Sequence, residues 1–238
     1  MPTDLTDAYA VTELAPEELD AELTSRWNAL MPNHPELGAS LLQRYAEPHR
    51  RYHDRAHLLQ VLRMVDRLAG DEDLYLVRLA AWFHDAVYDL PERELTNEEA
   101  SARLSVRELV RAGFEQEDLT QVARLVRLTA THAPGARDPE GELLCDADLT
   151  ILAAPPERYD AYVAAVREEY AAVAEDDFLA GRLAVLEPLA DGEIYRSGKA
   201  QSLKAAARAN LKRELWSLRD RLGLEQPDDE DAVEDFRR

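Results

Sequence analysis

Apolar residues recur at spacings of three and four along most of the chain, and no stretch alternates long enough to predict a strand. The first clear stripe is Leu19, Leu23, Trp27 and Leu30, on a helix that opens near Pro16-Glu17-Glu18. The run Met31-Pro32-Asn33-His34-Pro35 breaks it, a short helix from about Glu36 to Tyr45 follows, and Glu47 to Tyr52 reads as a loop. The pattern resumes from about Asp54 to Leu68, stops at Gly70-Asp71, and continues from about Asp73 to Tyr88. Within that last helix Ala81-Trp82-Phe83 leaves no polar side, which predicts an element at the centre of the core.

Beyond Pro91, Thr96 is a candidate N-cap with Glu98 and Glu99 in the first turn, and the helix it opens ends at Gly113. Another helix spans about Glu115 to Thr131, and Ala133 to Gly141 reads as a Pro- and Gly-rich loop. A helix from Leu143 onward carries Asp146 and Asp148. After Pro155-Pro156, Tyr159, Val163, Val166 and Tyr170 form the next stripe, and Phe178, Val185, Leu186 and Leu189 the one after it. The last helix covers about Lys199 to Leu222, with Leu203, Leu211, Leu215 and Leu218 inward and Asn210 and Glu214 among them. The expectation is a single-domain, all-α fold over residues 13–224, with a flexible leader at 1–12 and a disordered acidic tail at 225–238.

Composition supports helix and narrows the partners. Only 9 of 238 residues are glycine, and 46% are hydrophobic. A formal charge of -20 argues against nucleic acid or an anionic membrane surface as partner. It leaves room for a small phosphorylated substrate, because a metal ion and a few arginines reverse the field locally. The single cysteine, Cys145, excludes an intrachain disulfide and fits a reducing compartment. With no membrane-length apolar run and no signal-like start, the expected location is cytoplasmic.

The informative polar residues are those that fall on apolar faces. At 100° per residue His57 lies beside Val61, Met64, Val65 and Leu68, with His53 one turn earlier on the edge of that arc. His84 and Asp85 directly follow Trp82-Phe83, and buried charges require a counter-ion or a metal. Asp148 shares its face with Leu144, Ile151 and Leu152, whereas Asp146 lies about 160° away and is expected to face outward. His132 aligns with Val122, Leu125 and Leu128. Arg182 sits in an apolar arc and needs an acceptor, either a structural carboxylate or a substrate phosphate. Two imidazoles and two carboxylates from three helices suit a divalent ion such as Mn, Fe, Co, Ni or Zn.

The order H57…H84-D85…D148 resembles the HD-domain metal-dependent phosphohydrolases. The segments RYHDRAHL, AWFHDAVYD, TNEEASA, TATH, CDADLTIL, YDAYVAAVREEY, GRLAVL and ARANL, in order from Arg51, are similar to one bacterial branch of that superfamily. The resemblance implies His57, His84, Asp85 and Asp148 as metal ligands. Through the Tyr-His-x-x-x-His entry of cyclic-nucleotide phosphodiesterases, it implies His53 as the acid that protonates the leaving group. Asp85, or Asp89 four residues after it, is a candidate base. Arg51, Glu98, His132 and Arg182 are candidate substrate contacts. Alarmone-hydrolysing relatives carry a Glu-Asp pair where this chain has Tyr88-Asp89, which counts against that substrate. The expected activity is hydrolysis of a small phosphate ester, a nucleotide foremost, by metal-activated water. An HD-type di-iron oxygenase and a non-catalytic nucleotide sensor are the alternatives. For the oxygenase only His132 lies between Asp85 and Asp148, where about two further histidines are required.

Overall fold

The computed structural model describes residues 9–226, and among these every regular element is helical. The α-helices are α1 (Pro16–Leu30), α2 (Pro35–Arg44), α3 (Arg55–Ala69), α4 (Tyr75–Phe83) and α5 (Asn97–Arg111). They continue with α6 (Gln116–Leu128), α7 (Pro139–Asp148), α8 (Pro156–Glu169), α9 (Glu175–Asp191) and α10 (Lys204–Arg221). Short 3-10 turns lie at Ala10–Glu13, Leu149–Ala153 and Gln201–Leu203. The fold is the expected single-domain, all-α one. No helix among the described residues is long and apolar enough to cross a membrane.

Local chemistry sets the starts of the elements. Asp54 caps α3, its carboxylate accepting from the backbone N–H groups of Ala56 and His57 at 2.8 and 3.2 Å. Thr96 caps α5 as expected, accepting from Glu99 N–H. Asp138 caps α7 through Gly141 N–H, with Pro139 in the first turn, so this helix begins earlier than the loop expected over Ala133 to Gly141. A side chain at Gly38 would collide with the Trp27 ring, its Cβ only 2.2 Å away, and glycine there lets α1 and α2 close together.

Helices α3, α4 and α7 pack on one another at the middle of the molecule, and α5 and α6 pair beside them. The apolar face of α3 and two thirds of α4, including all of Leu79 to Phe83, are buried. Trp82 of α4 meets Trp27 of α1 edge to face, with ring centroids 5.0 Å apart. On the far side, α10 packs against α9 and against the 3-10 turn after α7. There buried Asn210 donates to the carbonyls of Leu152 and Ala154.

The structure corrects three expectations at element ends. The leader was placed at 1–12, yet Val11 is buried and the Tyr9 hydroxyl donates to the Thr150 carbonyl at 2.8 Å. Residues 1–8, and the tail from 227, lie outside the described residues. Val185, expected in the core stripe, is 58% exposed. Finally, α4 stops at Phe83 instead of running to Tyr88.

The last correction has a clear cause. The backbone beyond Phe83 is held by buried polar side chains from elsewhere, in place of the next helical turn. Arg50 donates to the Asp85 carbonyl at 2.7 Å, and Asp85 N–H donates to the Tyr45 hydroxyl at 3.2 Å. Ser101 accepts from Val87 N–H and donates to the Val87 carbonyl, and Asn97 holds both backbone groups of Asp89. These contacts satisfy groups that a helix would otherwise pair internally. Ser101→Ala removes both Val87 bonds without opening a sizeable void. It is expected to cost about 1–3 kcal/mol, measured as a lowered urea midpoint with an unchanged m-value.

Candidate metal centre

Each inward ionisable group sits at a helix end. His57 is in the first turn of α3, His84 and Asp85 follow the last residue of α4, and Asp148 closes α7. The C-terminal ends of α4 and α7 add negative potential there. The ligand atoms of His57, His84 and Asp85 all lie within 4.8 Å of one another. His57 Nε2 is 3.1 Å from His84 Nε2, 3.4 Å from Asp85 Oδ2 and 3.2 Å from Asp148 Oδ1. His84 Nε2 is 3.1 Å from Asp85 Oδ2 and 3.7 Å from Asp148 Oδ1.

This donor set fits a divalent cation. His84 Nδ1 donates to the Ala81 carbonyl at 2.8 Å, which leaves the Nε2 lone pair facing the cluster. Two carboxylate oxygens and a second imidazole nitrogen crowd the same point, so acceptors face acceptors unless positive charge lies between them. Ligands about 2.1 Å from a common cation stand roughly 3.0 Å apart in an octahedral arrangement and roughly 3.4 Å in a tetrahedral one. The separations among His57, His84 and Asp85, 3.1–3.4 Å, match that scale, and Asp148 Oδ1 lies beside them at 3.2 Å from His57 and 3.7 Å from His84.

The electrostatics agree. Burial alone pushes the His57 imidazole down, but hydrogen bonds and charge from Asp148 and Asp85 outweigh it and hold the group up at about 10. His84 is raised by the same two carboxylates against its burial. Burial pushes Asp85 and Asp148 up, yet the His84 charge and hydrogen bonds from His57, with His132 also acting on Asp148, hold both well below the usual carboxylate range. The pocket attracts positive charge strongly, and a metal ion supplies it as protons do.

The site forms one wall of a cavity of about 530 Å³. Of the expected residues, His53, Glu98, His132 and Arg182 also line it, while Arg51 and Asp89 do not. His132 Nε2 lies 2.9 Å from Asp148 Oδ2 and so braces that carboxylate. Arg182 donates to Glu214 at 2.8 Å and to the Tyr162 hydroxyl at 2.8 Å, which makes its acceptor the structural carboxylate. Arg51 is exposed and pairs with Glu168 at 2.7 Å. Asp89 pairs with Arg93 at 3.0 Å; once α4 ends at Phe83, the i+4 relation to Asp85 no longer places both on one side. Asp146, expected to face outward, is buried and accepts from the backbone N–H groups of Arg196 and Ser197 at 2.9 and 2.8 Å. The 194–197 segment covers the side of α7 that the helical wheel left open to solvent.

Two residues escaped the sequence reading. Glu169 is fully buried, and its Oε1 accepts from the backbone N–H groups of Arg51, Tyr52 and His53. Its Oε2 lies 2.6 Å from His53 Nδ1. Burial pushes this carboxyl up, but the bond and charge of His53 and the backbone donors bring it below its ordinary value. The His53 ring also stacks on Tyr88, with centroids 4.1 Å apart. Arg50, beneath the rings of Tyr45 and Tyr88, ties the His53 carbonyl to the Asp85 carbonyl. The available sequence signals were the second acid of Glu168-Glu169 at a helix end and the paired Arg50-Arg51.

Residues 54–152 match the family model described as HD domain. The chain carries an HD domain. Members of this superfamily are generally metal-dependent hydrolases, and the match contains His57, His84, Asp85, His132 and Asp148. His53 and Glu169 lie outside it. Comparison with curated proteins finds no match, and neither does comparison with solved structures.

Two outcomes follow for the HD domain. His84→Ala is expected to lower bound divalent metal at least tenfold, read by elemental analysis of protein purified without chelator, whereas Asp89→Ala retains it. Glu169→Gln is expected to cost about 2 kcal/mol at pH 7 by urea unfolding. Because the folded Glu169 carboxyl lies below its unfolded value of 4.5, that contribution is present above about 4.5 and disappears as pH falls through the folded value, where variant and parent converge.

Proposed function

We propose that this protein is a metal-dependent phosphohydrolase that cleaves a small phosphate ester. The observation that carries this reading is the placement of His53 on the wall of the same cavity that the His57, His84, Asp85 and Asp148 cluster faces. A divalent ion of the Mn, Fe, Co, Ni or Zn class, held by those four residues, supplies Lewis acidity and a water acidified towards neutrality.

The chain's own groups handle the protons. His53 Nδ1 is engaged by the buried Glu169 carboxylate, so Nε2 is the atom available to the substrate. His53 gives a proton to the leaving oxygen as the phosphorus–oxygen bond to the alcohol breaks. The water oxygen forms the new bond to phosphorus, and its proton passes to Asp85, the carboxylate at the cavity in place of Asp89. His132 holds Asp148 in register from its other oxygen. Glu98, which also lines the cavity, orients water. Nucleotides belong to this substrate class, and the Tyr52, Tyr88, Tyr162 and Tyr170 side chains line the cavity beside the site.

The test is phosphate release by metal-loaded protein across a panel of monoesters, diesters and nucleotides. Activity on at least one class is expected, with a loss of about a hundredfold or more when His84 and Asp85 are both replaced by Ala. No release across the panel, or activity that survives the double replacement, overturns the reading.

A further inference from the structure

We infer that the ligand of this cavity is a phosphate monoester of a bulky, apolar alcohol, aryl or comparably lipophilic, rather than a nucleoside polyphosphate. The inference rests on the phosphohydrolase reading of the same site and specifies its substrate class.

The first observation is size. A cavity of about 530 Å³ is in the range that encloses a ligand of a few hundred daltons and far exceeds the need of a phosphate group. The second is the division of its surface. The metal cluster, His53, His132 and Glu98 supply much of the polar part, and much of the remainder is walled by Val166, Tyr170, Phe178, Val185, Leu186 and Leu189. Apolar side chains continue to the mouth. Val173 and Val185 are among the few large hydrophobic residues left exposed on the described surface, at 36% and 58%, and both line this cavity. An exposed apolar rim continuous with an apolar interior is the surface expected for a lipophilic group.

The third observation is the shortage of cations. Arg182 is the sole lysine or arginine on the lining, and its guanidinium is committed to Glu214 and the Tyr162 hydroxyl. Away from the ligand cluster the charged wall residues are otherwise acidic, Glu98 and Asp177. One phosphate group would be met by the cation and by a hydrogen bond to His53. A second and third phosphoryl group would lie against apolar walls or carboxylates, with no donor to replace their water. Recognition of polyphosphate is ordinarily built from several lysines and arginines. The overall charge of -20 adds to the mismatch.

Calorimetric titration of the metal-loaded full chain with naphthylphosphonate, methylphosphonate, a nucleoside monophosphate and a nucleoside triphosphate tests this. These non-hydrolysed probes and nucleotides are run beside hydrolysis of naphthyl phosphate. Naphthylphosphonate is expected to bind at least about tenfold more tightly than each of the other three. Val185→Asp, a change at an exposed rim position that leaves packing intact, is expected to reduce that advantage to about threefold or less. Equal or tighter binding of either nucleotide overturns the inference, as does an advantage untouched by Val185→Asp or no binding of any probe. Selective naphthylphosphonate binding without hydrolysis of any ester leaves the ligand class standing and overturns the phosphohydrolase reading instead.

Discussion

Two imidazoles stand 3.1 Å apart with the Asp85 and Asp148 carboxylates 3.1–3.7 Å from them, and the two imidazoles are almost sealed from solvent. This arrangement is unfavourable unless positive charge fills its centre, because buried acceptors otherwise repel and lose their water. The surrounding architecture can be understood as what is required to hold it. Helices α3, α4 and α7 must pack at one point, each must end there, and the groups behind the ligands must fix their orientation. The Ala81 carbonyl orients His84, His132 holds the outer oxygen of Asp148, and Asp54 caps the helix that presents His57.

Ending a helix inside a core leaves backbone groups that must find partners. Behind the His-Asp pair they find Tyr45, Arg50, Asn97 and Ser101, contributed by three separate parts of the chain. This polar support is as buried as the ligands it serves. It also joins the metal cluster to the candidate acid, since Arg50 bonds the carbonyls of both Asp85 and His53. A change at either carbonyl is thereby felt by both halves of the site. The second half is completed by Glu169, whose one carboxylate gathers three successive backbone N–H groups and the His53 ring.

The cavity separates chemistry from recognition. The candidate metal cluster is concentrated at the ends of α3, α4 and α7, while α8 and α9 contribute much of the apolar wall. The superfamily assignment concerns the first part, because the matched residues 54–152 contain the cluster. Val166, Tyr170, Phe178, Val185, Leu186 and Leu189 all lie beyond the match, so this part of the cavity wall is built by the segment outside it.

The sequence by itself determined the helical class, most helix starts, and the inward placement of His57, His84 and Asp148. Those features depend on periodicity and capping within a few residues, which a linear reading samples directly. Only the tertiary structure decided the rest. The wheel sent Asp146 outward because it cannot see the 194–197 segment some fifty positions later that covers it. It paired Asp89 with Asp85 because it cannot see Arg50, Ser101 and Asn97 holding the backbone beyond Phe83 out of the helix. Glu169 meets His53 across 116 residues, a contact that no local pattern encodes. Side-chain type and spacing fix which chemistry is available, whereas partners distant in sequence fix which groups remain free to perform it.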